Sequence, residues 1–257
     1  KTWVNISKGI PYGAYTRVVR EDPVRKGMLF AGTELGMYIS YNGGTTWMPF
    51  QLNFPVVPVT DLLIKNDDLI VATMGRSFWI LDDLGLIRQV NPGEEGFKIF
   101  KPEDAVIGNW GSPLSSPDIS HFNGMGESEG VNPANGVVIY YNLPKLADSI
   151  QVTMEIKDAA GKVVRTYSSK ADEKYEGYAG GPPANPTIMK GKGLNRHVWD
   201  MRYPIMTGAP KTYIESSFRG HKASPGSYFF FNDTATTESK ADFKILPNPH
   251  YPTTPAQ

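Results

Sequence analysis

The chain has 257 residues with 26 basic and 26 acidic side chains, and a hydrophobic share of 40% places it among folded rather than disordered proteins. A balance this even gives no electrostatic footing for nucleic acid or an anionic membrane surface, and neither is expected as a partner. No apolar run reaches the ~18 residues that suggest a membrane span, and the absence of cysteine removes disulfides and thiol chemistry without fixing a compartment.

Twenty-six glycines and 21 prolines, with 12% aromatic residues, predict many turns, short strands and few long helices. The expected class is all-β. Lys1-Thr2-Trp3 lacks the charged stretch and apolar run of a signal peptide. Val18-Val19, Leu29 to Thr33 and Met37-Tyr38-Ile39 then read as successive strands. Between Ile39 and Met48 lies Ser40-Tyr41-Asn42-Gly43-Gly44-Thr45-Thr46-Trp47. Asn42, Gly43 and Gly44 accept the left-handed backbone angles of a tight turn. Ser40, Asn42, Thr45 and Thr46 can bond nearby backbone groups and lock that turn, while Trp47 offers a large apolar face.

The pattern Ser40-x-Asn42-x-Gly44-x-Thr46-Trp47 resembles the Asp box of BNR-repeat β-propellers, with Asn42 at the family's Asp position. The resemblance implies a structural turn between the last two strands of a blade, away from the central channel. It implies a fold and is silent on catalysis. Lys1-Thr2-Trp3 is similar to the tail of another such box, so the chain is expected to begin inside a blade. A missing export signal is then uninformative.

Trp3 and Trp47 stand about 44 residues apart, inside the ~40–45-residue period of a four-stranded blade. Leu29 to Thr33 aligns with Leu69 to Thr73, and Met37-Tyr38-Ile39 with Phe78-Trp79-Ile80. Residues 1–91 are therefore read as the last blades of a propeller. In the second copy Leu81-Asp82-Asp83-Leu84-Gly85 replaces the box, as terminal repeats often deviate. Two blades cannot close a propeller, so further blades are expected upstream or from another chain. The wording of this half also resembles bacterial sortilin-like (Vps10-type) glycosyl-hydrolase-like proteins. Those commonly read T-H-G-R where this chain has Thr73-Met74-Gly75-Arg76, so any role of that His is lost here.

Residues 92–135, rich in Gly, Ser, Pro and Asn, read as a connector, although Phe97 to Phe100 could form a strand. Strand runs resume from Gly136 and predict a β-sandwich over 136–247, with Trp199 in its core and 248–257 as a tail. The runs Ile156 to Thr166 and Gly193 to Asp200 resemble an immunoglobulin-like domain of flagellar hook-capping type. Phe229 to Glu238 resembles translated adapter sequence; it reads as a hairpin turning at Asn232-Asp233, and no function is drawn from it.

Chemistry is sparse. His121, His197, His221 and His250 show no metal-ligand spacing, so no metal and no cofactor are expected. Gly75 to Trp79 fails as a nucleophile elbow and Gly124 to Gly130 fails as a dinucleotide loop. Asp61, Asp82 and Asp83 are the candidate catalytic carboxylates. Adjacent Asp82 and Asp83 on a strand would point to opposite faces and cannot flank one bond, which favours a turn-capping role. Arg76 is the candidate ligand-binding residue, with an ion pair to Asp82 or Asp83 as the structural alternative. Trp110, Trp199 with Asp200, and Arg202 are candidates for a domain interface.

The expected function is a non-catalytic binding or scaffold portion of a larger protein, engaging a carbohydrate or protein ligand. Two alternatives remain: part of a glycoside hydrolase with its catalytic residues upstream, or a sortilin-like peptide-binding propeller. An extracellular or periplasmic location is what the resemblance implies.

Overall fold

The computed structural model describes residues 2–108, 134–209, 211–215, 217–234 and 237–249. Trp110, His121, the Gly124 to Gly130 run and His250 lie outside them. The fold is all-β, and the chain divides into two compact units, Lys1–Glu94 and Glu95–Gln257.

In the first unit, β1 (Thr16–Glu21), β2 (Leu29–Thr33), β3 (Gly36–Ser40) and β4 (Met48–Pro49) form an antiparallel meander in chain order. Every residue of β3 is buried, whereas β1 buries only Val18, so the middle of the meander carries the packing. A second antiparallel sheet holds β5 (Val59–Lys65), β6 (Asp68–Thr73) and β7 (Phe78–Leu81). The β5–β6 turn places Asn66 and Asp67 at φ 52° and 66°, the left-handed pair that a tight twisted hairpin requires.

The two sheets share a core in which Phe30, Ile39, Leu62, Leu69 and Val71 meet. A Cβ on Gly32 would come within 2.5 Å of Val59 Cγ1 and 2.8 Å of Val18 Cγ1, so glycine is what lets the sheets approach. The second sheet is followed by a short helix, α1 (Leu84–Gln89), where the first has its fourth strand. Leu84, fully buried, and Ile87 lie three residues apart and pack on that core. The apolar spacing has become helical, which is why no box forms there.

In the second unit, one sheet runs β13 (Gly193–Trp199), β10 (Val137–Leu143), β8 (Lys98–Ile99). The other runs β12 (Val163–Ser168), β11 (Thr153–Asp158), β14 (Gly226–Thr234), β15 (Thr237–Leu246), β9 (Ala105–Val106). Residues 98–99 and 105–106, read from sequence within a connector, thus supply edge strands of these sheets. β10 alternates buried and half-buried residues without exception, as one face of a sandwich must. Both sheets turn their buried residues into one core around Trp199, whose ring meets Tyr228 at 5.8 Å and Phe243 at 6.0 Å.

The expected turn at Asn232-Asp233 is corrected. Asn232 pairs with Ser239 and Asp233 with Glu238, and the strands run on to Thr234 and Thr237. The reason lies on the other side of β14, where β11 pairs as far as Thr153 with Asp233 and carries the ladder outward.

Candidate functional site

The box is a closed ring of hydrogen bonds. Ser40 Oγ, 1% exposed as a residue, accepts from Gly44 N at 3.0 Å and Asn42 N at 3.3 Å, and donates to Asn42 Oδ1 at 3.0 Å. Asn42 Oδ1 also accepts from Thr46 N at 2.9 Å, and Asn42 Nδ2 donates to Thr46 Oγ1 at 2.8 Å. Gly43 and Gly44 take φ 67° and 85°. Trp47 is buried and its indole donates to Ile6 O at 2.7 Å, fastening the segment before β1 to the first sheet. Its own N–H bonds Lys8 O at 2.8 Å. These bonds are all spent within the first unit itself.

The candidate carboxylates do not converge. Asp61 lies on β5, beyond a bulge, and pairs with Arg20 Nη2 of β1 at 2.7 Å, linking the first strands of the two sheets. Asp83 is the N-cap of α1: it sits at φ 61° and its Oδ1 accepts from Leu86 N at 3.3 Å. Asp82 has a raised pKa, because burial disfavours its charge and Asp68 and Asp83 add like-charge repulsion. Arg76 is exposed in the β6–β7 turn; its N–H bonds Thr73 Oγ1 and its carbonyl accepts from Trp79 Nε1. Among the described residues, no ion pair joins Arg76 to Asp82 or Asp83.

A stronger cluster sits elsewhere in this unit. Asp22, read from sequence only as part of the Asp22-Pro23 turn, is 2% exposed. Arg88 of α1 reaches it with Nη2–Oδ1 at 2.8 Å and Nε at 3.0 Å, and extends its other arm to Asp67. Burial alone would raise the Asp22 pKa, but hydrogen bonds from Arg88 and from the Arg25 and Val24 backbone hold it below the usual value. Arg25 lies over the Tyr41 ring at 4.7 Å and donates to Arg88 O and Val90 O, both at 2.7 Å. The cluster joins both sheets and the helix, with its hydrogen-bonding groups engaged.

The second unit carries a site of another kind. β12 and β13 are edge strands of facing sheets, and Tyr167 of one meets His197 of the other at 4.3 Å between ring centres. A bulge at Val164 makes consecutive Val164 and Arg165 both buried, and turns Arg165 to the side of Ile156 and Tyr167. Arg165 is 6% exposed; Nη1 donates to Tyr203 O at 3.1 Å and Nη2 reaches Asn185 Oδ1 at 3.4 Å. Its Nε has no partner, and neither has Nε2 of His197. His197 is pushed down to about 4, first by burial and then by the Arg165 charge, with Asp200 opposing.

Two clefts, of about 480 and about 600 Å³, open around Arg165 and Tyr203. The first is also lined by Arg202, Arg219, Asp200 and Phe218. Arg202 binds Gly220 O at 2.8 Å and lies 3.9 Å from Asp200. In the second, Tyr203 stacks on His221 at 4.1 Å. Sequence reading missed this place because Val163-Val164-Arg165-Thr166-Tyr167 looks like a plain strand. The available signal was an arginine two residues from an aromatic, on what alternation makes the same face.

Among the described residues, no group of three His, Cys, Asp or Glu side chains is placed to hold a metal ion. No helix among them is long and apolar enough to cross a membrane.

No protein-family model matches the chain, and no curated protein matches it. Among solved structures, PorZ, an essential surface component of the type-IX secretion system of Porphyromonas gingivalis, is 12% identical. That match covers 95% of this chain and 32% of PorZ, with a TM-score of 0.25. The extracellular domain of a putative one-component system from B. thetaiotaomicron is 11% identical, covering 93% of this chain and 26% of that one, with a TM-score of 0.24. The chain thus spans a third or less of either protein. At such TM-scores neither likeness carries an argument about fold or function.

Proposed function

We propose that the chain is a non-catalytic binding or scaffold portion of a larger exported propeller protein, with blades over 1–91 and an immunoglobulin-like sandwich over 136–247. The observation that carries this reading is the employment of the candidate carboxylates: Asp61 holds Arg20 and Asp83 caps a helix, so they do not face each other across a cleft. Glycoside hydrolysis needs two carboxylates flanking one bond. The hydrogen-bonded box and the four-stranded meander support the propeller part.

A further support is the outer face of the second sheet. Leu63, Ile70 and Ile80 are cross-strand neighbours, with Leu63 and Ile80 53% and 62% exposed. A neighbouring blade would cover such a row. The ligand is a carbohydrate or a peptide, met outside the cytoplasm.

The test is to present the purified chain with arrayed glycans and peptides and to analyse the arrays for cleavage. Saturable retention without product supports a binding module; a glycan preference would set it apart from a sortilin-like peptide binder. Release of cleaved product would overturn the reading in favour of a hydrolase.

A further inference from the structure

The second sheet of the first unit stops one strand short. In the first sheet β4 pairs antiparallel along β3, Tyr38 with Pro49 and Ile39 with Met48. In the second, β7 is the terminal strand, and the chain turns into α1 where a fourth strand would follow. Thr73 N donates to Ser77 O at 3.2 Å. From that pair, antiparallel alternation turns the N–H and C=O of Phe78 and Ile80 away from β6. Both residues are exposed, Phe78 75% and Ile80 62%. An uncovered row of outward donors and acceptors is a template for another strand.

This edge is apolar along one face and oppositely charged at its two ends. Phe78 pairs with Ala72, and Ile80 with Ile70 and through it Leu63, so the apolar row runs out to the edge. Asp82 follows the Leu81 end, with Asp68 beside it because Leu69 pairs with Leu81. Arg76 stands at the other end, in the β6–β7 turn. Among the described residues, none of these three has an ion-pair partner. Asp82 holds its charge against burial and two like charges, and a neighbouring cation would relieve it. A strand laid antiparallel on β7, as β4 lies on β3, brings its N-terminal end to Asp82 and its C-terminal end to Arg76.

We propose that β7 docks an extended peptide segment of a partner protein as an antiparallel fourth strand. The segment carries apolar side chains opposite Phe78 and Ile80, a basic residue at its N-terminal end and an acidic one at its C-terminal end. Main-chain hydrogen bonds supply affinity, and the two charges fix direction and register. The edge lies in the plane of the sheet, so whatever covers the outer row leaves it open. The proposal rests on the binding-module reading above, naming its ligand as a peptide and β7 as the place.

The experiment titrates the isotopically labelled full chain with the blocked peptide Lys-Thr-Val-Thr-Val-Thr-Glu and follows amide exchange. The control is the charge-reversed peptide Glu-Thr-Val-Thr-Val-Thr-Lys. Phe78 and Ile80 amides should exchange fast in the free chain and become protected, saturably, with peptide. Trp79 and Leu81, bonded to β6, give the internal reference. The charge-reversed peptide should bind about threefold more weakly. Ile80→Pro removes only an outward N–H, which an edge strand tolerates, and should weaken binding about tenfold. Should that variant fail to fold, Ile80→Lys sets a cation against the peptide's basic end and should have a similar effect, about tenfold. Protection that rises with protein concentration in the absence of peptide would mean that a second copy of the chain takes the edge, and would overturn the proposal. So would no protection at millimolar peptide, equal binding of the two peptides, or unchanged affinity in the folded variants. None of these results bears on cleavage of the arrays, so the two readings fail separately.

Discussion

Asp22 and Arg88 stand 66 positions apart and form the most enclosed ion pair of the first unit, with Nη2–Oδ1 at 2.8 Å and side chains 0% and 11% exposed. The pair ties the turn after β1 to the helix after β7. Removing Asp22 leaves Arg88 with Asp67 alone and takes the acceptor from the Val24 and Arg25 backbone N–H groups, at a cost of roughly 1–3 kcal/mol. Asp22→Ala is expected to lose that much in denaturant unfolding. The double variant Asp22→Ala, Arg88→Met should lose less than the sum of the two single variants, because each single change already removes the shared contact. Additive losses would mean that the two side chains do not act as a pair.

The box should respond residue by residue. Ser40→Ala leaves the buried Gly44 N–H without its acceptor, a loss of roughly 1–3 kcal/mol. Gly44→Ala should cost more than the ~1 kcal/mol of an ordinary left-handed site. It combines φ 85° with a new Cβ 3.0 Å from Ile6 Cδ1. Asn42→Asp should fall within about 0.5 kcal/mol of the parent, because its remaining oxygen can accept from Thr46 Oγ1 once that hydroxyl turns round. Melting temperatures of the three variants give the order directly.

Acid sensitivity should come in two windows. His197 titrates near 6.5 when unfolded and about 4 when folded, so between these values the unfolded chain binds the extra proton and stability falls as pH falls. The stabilisation is fully present above about 6.5, and the loss across the window is on the order of 3 kcal/mol. Asp22, with a folded pKa below 3.8, contributes stability that is present above that value and disappears as pH drops through the folded pKa. Unfolding free energies of the parent and His197→Gln between pH 4 and 7 provide the check: the slope should flatten in the variant.

Asp83→Ala removes the acceptor for Leu86 N at the start of α1 and should cost about 0.5–2 kcal/mol. Asp83→Gly, which keeps the left-handed backbone at ease, should cost less, although the cap is still lost. Chemical denaturation distinguishes them.

Local chemistry was legible where it repeats within a few residues. The turn-forming residues Ser40 to Thr46 satisfy one another, so their pattern in the sequence is their structure. The strands of the first meander follow from apolar runs for the same reason. Asp22 and Arg88 were not legible as a pair, because their meaning depends on a contact across 66 positions. Arg165 was not legible as a buried group because the acceptor of its Nη1, Tyr203 O, lies 38 positions away. The hairpin turn beyond Asn232-Asp233 was misplaced because β11, far off in sequence, sets how long β14 runs.

The most direct test of the account is hydrolysis. The full chain, with Asp61→Asn and Asp82→Asn beside it, would be incubated with a panel of aryl glycosides and the release of aglycone followed. The account predicts no turnover by the parent and only the stability change expected from losing the Arg20 contact in Asp61→Asn. Measurable hydrolysis by the parent that disappears in either folded variant would show that these carboxylates do chemistry, and the non-catalytic account would be wrong.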